Sequence, residues 1–115
     1  SQSFARLPAV HALSELPDLL PDTDLLVNTT ALGMTGKPPL ELDLSRLKTG
    51  VTVCDIVYAP LETDLLRQAR LRGNRAVGGL GMLMHQAVPG FARWFGRTPA
   101  VTPALRAALE ADLAR

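Results

Sequence analysis

The stretch that most limits what this chain can fold into is Leu25-Leu26-Val27-Asn28-Thr29-Thr30-Ala31-Leu32-Gly33-Met34, where an apolar run stops abruptly in short polar residues and a glycine. A run that is continuously apolar, rather than alternating, predicts a strand buried on both faces, as in a parallel sheet covered by helices. Ligands of such sheets sit at the carboxyl ends of the strands. Asn28, Thr29 and Thr30 stand at that end with compact donors and acceptors, and Gly33 lets the backbone turn or approach a ligand closely. The plainer reading of the same residues is a polar turn after a core strand.

The rest of the chain repeats the rhythm. Val51 to Tyr58, rich in β-branched residues, reads as a second strand that Pro60 stops. Thr63 is placed to cap a helix with Asp64 in its first turn, Leu65, Leu66 and Ala69 on one face, Arg70 and Arg72 near its end, and Gly73 as its left-handed terminator. Arg75-Ala76-Val77 makes a short third strand. Gly78-Gly79-Leu80-Gly81 then leads into a helix whose Leu80, Leu83, Met84, Ala87, Val88, Phe91, Ala92 and Phe95 recur at three and four residues, so that they share a face. Pro89 is expected to kink or split it. Thr102-Pro103 caps a last helix, Ala104 to Leu113.

Upstream, Phe4 to Pro8 reads as the end of an element. Ala9 to Leu13 reads as a short strand, and Ser14 as the cap of a helix that Pro17 keeps short. Lys37 to Leu47 reads as a loop with one helical turn near Leu44. Strands near Val10, Val27, Val53 and Val77 alternating with helices predict an α/β architecture: a Rossmann-like parallel sheet with flanking helices, the one from Leu80 packed on a face, forming part of a doubly wound domain.

Composition narrows the function. A length of 115 residues is one domain's worth. Twelve Lys and Arg balance eleven Asp and Glu, and aromatics make up 4%, which argues against a nucleic-acid partner, since neither a basic field nor a base-stacking surface is available. The single cysteine, Cys54, rules out an intrachain disulfide and fits a reducing cytoplasm. No apolar run reaches the eighteen or so residues of a membrane span, so the expected protein is soluble, with no membrane partner.

Three strand ends carry the informative residues: Asn28 to Met34, Asp55 to Tyr58, and Gly78 to Met82. A parallel sheet brings all three to one edge, the place of a cofactor. Together, Val27-Asn28-Thr29-Thr30-Ala31-Leu32-Gly33-Met34, Asp55-Ile56-Val57-Tyr58-Ala59-Pro60 with Thr63, Leu65 and Leu66, and Gly79-Leu80-Gly81-Met82-Leu83 with Gln86 resemble the shikimate dehydrogenases. Phe91, Trp94 and Gly96 follow in the same order. The resemblance covers almost the whole chain.

That resemblance implies an enzyme reducing 3-dehydroshikimate to shikimate with NADP, or NAD, in aromatic amino acid biosynthesis. Residues 1–115 would be the carboxyl-terminal portion of its NADP-binding domain, and the remaining amino-terminal part of the enzyme would be the partner. A homodimer is compatible with this. Tyr58 and Gln86 are implied as substrate contacts, Ile56 and Gly79 as backbone partners of the nicotinamide amide, Met82 as a packing surface for that ring, and Asn28, Thr29 and Thr30 as flanking the cofactor. No residue of this chain is implied as catalytic, because the family's lysine and aspartate, its substrate domain and its glycine-rich phosphate loop have no counterpart here. At Gly78 the sequence departs from the aspartate of many relatives. The competing expectation is a catalytically silent nucleotide-binding or interaction module derived from the same family.

Blander readings apply to the remaining singular residues. His11 is expected on a strand surface, His85 beside the helix with no metal-ligand spacing, and Cys54 as a small buried hydrophobe. Asp55 is expected to hold backbone amides at its strand end.

Overall fold

The computed structural model describes residues 7–113. Three short strands, β1 (Leu25–Asn28), β2 (Thr52–Asp55) and β3 (Arg75–Val77), form one sheet in the order β1-β2-β3, and both pairings are parallel. The helices are α1 (Leu16–Leu19), α2 (Asp64–Leu71), α3 (Leu80–Phe95) and α4 (Pro103–Leu113), and 3-10 turns at Leu13–Glu15 and Leu20–Asp22 flank α1.

The second strand, its helix and the third strand form where expected. Thr63 caps α2 through a bond from the Leu66 amide, and Gly73, at a φ of 87°, ends it. Leu65, Leu66 and Ala69 are the buried residues of α2. Leu26, Val53 and Ala76, in register across the sheet, turn toward this core together with Leu20, Leu44, Leu47 and Val51. A turn closed by the Leu47 amide on the Leu44 carbonyl supplies the expected helical turn in the long loop.

Four expectations fail. Residues 7–12 form no strand and Val10 is 94% exposed, because Pro8 and a run of exposed residues give this stretch no partner to pair with. Ser14 lies inside a 3-10 turn and caps nothing; the Glu15 carboxylate accepts the Ala12 amide at 2.9 Å at the start of that turn, and no side chain caps α1. The reading of Phe4 to Pro8 falls, for residues 4–6, outside the described residues.

β1 is not buried on both faces. Leu25 and Val27 are exposed, and Val27, Cys54 and Val77, in register on the face away from α2, leave an apolar strip with Cys54 only half-buried. Finally, α3 packs on α4, not on the sheet; it runs unbroken from Leu80 to Phe95, so Pro89 does not split it. Only Leu80 and Met84 of α3 are buried; Leu83, Ala87, Val88 and Phe91 face Val101, Leu105 and Leu109 across an apolar groove of about 380 Å3.

Candidate functional site

Parallel strands order their carboxyl ends along one edge, and the ladder register makes Asn28 and Asp55 direct partners there. Both are buried although polar, at 6% and 2% exposure. Such burial is tolerated only when every donor and acceptor is met. The Asn28 amide nitrogen donates to Asp55 Oδ1 (3.1 Å) and to the Leu32 carbonyl (3.2 Å), while its Oδ1 accepts the Thr30 amide (3.0 Å) and hydroxyl (2.7 Å). These four bonds saturate the side chain and fix which end of the amide is nitrogen.

The Asp55 carboxylate accepts from Asn28 and from the Val57 amide (3.0 Å) on Oδ1, and from the Thr63 hydroxyl (2.7 Å) on Oδ2. Capturing Val57 ends the strand: an amide that would continue the ladder turns back to its own chain. This is why β2 stops at Asp55, well before Pro60. The expectation that Asp55 holds a backbone amide is met, and its reach to Asn28 and Thr63 went unread in the sequence. The available signal was that Asn28 and Asp55 each close an apolar strand, which parallel register sets side by side.

Backbone bonds tie the loops further. The Thr35 amide donates to the Ala59 carbonyl at 2.8 Å, the Ile56 amide to Asn28, and the Gly79 amide to Val57 at 3.3 Å. Gly79 is buried against the chain itself: a Cβ there would lie 2.0 Å from the Ile56 carbonyl oxygen. Its lack of a side chain serves the approach of one loop to another. Gly78 is different, since an added Cβ would meet only ordinary contacts.

The remaining sequence-selected residues occupy the same edge or the helix that leaves it. Thr29 and Thr30 are exposed in the loop after β1, Ile56 and Tyr58 are half-buried in the loop after β2, and Gly79 precedes α3. Met82 and Gln86 are both exposed on α3, and their four-residue spacing puts them on one helix face. Gln86 lies about 9 Å along the axis from Leu80. His85 is exposed on α3, and His11 is exposed and faces Glu15 at 3.2 Å. A cavity of about 190 Å3 opens between Leu32, Gly33, Lys37 and the start of α2, and another of about 180 Å3 lies under Asn28, Thr29 and Thr30.

Met82 adds an exposed apolar surface beside this edge, and the backbones of Ile56 and Gly79 lie against each other, the Ile56 amide bound to Asn28 and the Gly79 amide and carbonyl to Val57 and Leu83. Among the described residues no helix is long and apolar enough to cross a membrane.

Known proteins resemble this chain in sequence and in fold. Residues 79–109 match the family model of the Shikimate 5'-dehydrogenase C-terminal domain. The chain is 63% identical to an NADP(+) shikimate dehydrogenase of Methylobacterium radiotolerans over an alignment covering 99% of this chain and 44% of the relative. Among solved structures, a quinate dehydrogenase of Corynebacterium glutamicum in complex with NAD is 35% identical with a TM-score of 0.74, covering 85% of this chain and 34% of that one. A shikimate 5-dehydrogenase of Thermus thermophilus in complex with shikimate is 30% identical with a TM-score of 0.66, covering 86% and 36% respectively. The chain thus spans less than half the length of these relatives.

Proposed function

We propose, from this chain's likeness to the shikimate dehydrogenase family, that it is the carboxyl-terminal portion of the NADP-binding domain of an enzyme that interconverts 3-dehydroshikimate and shikimate. The observation that carries the reading is the convergence of three loops, after β1, after β2 and before α3, on one sheet edge with their backbones hydrogen-bonded together.

When bound, the nicotinamide accepts or delivers the hydride. This chain's residues hold the reactants. Asn28, Thr29 and Thr30 would flank the cofactor, Ile56 and Gly79 would meet its carboxamide through their carbonyls, since both amides are engaged within the chain, and Met82 would pack on the ring. Tyr58 and Gln86 bind substrate hydroxyls, the phenol through one O–H and the amide by donating and accepting at once. The one carboxylate at the heart of the edge, Asp55, is committed to three donors, which leaves it no role in moving a proton. Accordingly the 115-residue chain alone is proposed to have no hydride-transfer activity, because general acid-base work needs a side chain free to reach the reacting oxygen.

The experiment is to follow reduced-cofactor absorbance with shikimate and NADP, using the full-length enzyme and the 115-residue chain in parallel. Turnover by the first and none by the second is expected. Turnover by the isolated chain that disappears in Tyr58→Phe overturns the assignment of the catalytic groups. The likeness to a quinate dehydrogenase with NAD supports a second reading, in which substrate and cofactor are quinate and NAD. Specificity constants for the four pairings decide between them.

A further inference from the structure

We propose that Asp55 is the positioning residue of this site: a single buried carboxylate that sets the loop after β1, with its cofactor contacts, and the loop after β2, which carries the cofactor contact Ile56 and the substrate contact Tyr58, relative to each other. The inference rests on the function proposed above. On one oxygen Asp55 holds Asn28, whose amide in turn shapes the loop through Thr30 and Leu32; on the same oxygen it holds the Val57 amide, one residue before Tyr58 and one after Ile56. On the other oxygen it holds Thr63, whose hydroxyl also accepts the Leu66 amide at 3.4 Å and so anchors the whole cluster to α2. Every one of these partners donates. Only a group with two accepting oxygens serves them all, and losing it strands three donors in a place water does not reach.

The consequence differs from that of an ordinary buried polar residue. Asp55 touches neither reactant, yet its partners lie in both loops, so loosening it must weaken both reactants together. In the full-length enzyme, Asp55→Asn keeps the shape and an oxygen for Asn28 and Val57, but sets an NH2 against the Thr63 hydroxyl. The expected result is a rise of about tenfold in KM for shikimate and for NADP alike, with a smaller change in kcat. Asp55→Ala should raise both further. Near-UV circular dichroism and thermal melting define the folded fraction at the assay temperature. Should neither Asp55 variant fold, Thr63→Val removes the donor to the second oxygen and should raise both KM values in the same direction.

A merely structural Asp55 would lower the melting temperature and the active fraction while leaving both KM values unchanged, and that result overturns the proposal. So does a rise in only one KM, because the tie spans both loops. An unsubstituted full-length protein that fails to oxidise shikimate with NADP overturns the functional reading itself, which sets that failure apart from the failure of Asp55.

Discussion

Two glycines of the site loops show how differently one residue type can be constrained. Gly33 has open space around its Cβ position but a φ of 90°, so Gly33→Ala carries only the conformational penalty of about 1–2 kcal/mol. Gly79 has an ordinary φ of −84° and no room at all, since the Ile56 carbonyl fills the Cβ position. Gly79→Ala should therefore force the two loops apart and cost about 2–3 kcal/mol, as overpacking does, together with a loss of NADP affinity. Urea denaturation and cofactor titration of the full-length enzyme check both numbers. Gln86→Ala should act otherwise: its side chain is exposed, so stability should hold within about 0.5 kcal/mol while the shikimate specificity constant falls about three- to tenfold. An unchanged specificity constant would make Gln86 a helix-flank residue. At this scale motif order singled out residues that the fold gathers at one sheet edge or on the helix leaving it, but not their hydrogen bonds. Asn28, Asp55 and Thr63 are separated by 27 and 8 positions; the parallel register brings the first two together, and the turn from β2 into α2 brings Thr63.

Among the elements, those whose ends are written in local chemistry were legible. Thr63 and Gly73 bound α2, and Thr102, whose hydroxyl accepts the Leu105 amide at 3.1 Å, starts α4. What defeated sequence reasoning was tertiary. The apolar periodicity of α3 is real, yet the face it defines meets α4 across a groove, so periodicity located a face without naming its neighbour. The strand expected near Val10 had weak alternation and no ladder to join. Pro89 withholds one N–H from the His85 carbonyl within an otherwise continuous helix. Pro89→Ala should restore that bond and stabilise α3 by about 1–3 kcal/mol, read as a rise in helical circular dichroism and in melting temperature. A fall in either would mean that the proline's shape is needed where it stands.

For the molecule as a whole, the radius of gyration of 16.8 Å exceeds the roughly 13 Å of a compact domain of this length. The excess goes with α3 and α4 packing on each other and not on the sheet, and the fold leaves open the strip of Val27, Cys54 and Val77 and the apolar residues Phe91, Trp94 and Phe95 on α3. The 115-residue chain on its own should accordingly self-associate with rising concentration in sedimentation velocity, and Val27→Thr with Val77→Thr should reduce this without lowering the melting temperature by more than a few degrees. A concentration-independent monomer would contradict it. The bond between Asn28 and Asp55 also has a bearing on time. During synthesis at about 5–20 residues per second, the Asn28 amide waits between about one and five seconds for its partner to be made, and Thr63 comes later still. Through that interval the Asn28 amide lacks the carboxylate it meets in the finished fold, and the edge is complete only once Gly79, which follows Thr63 in the chain, has joined it.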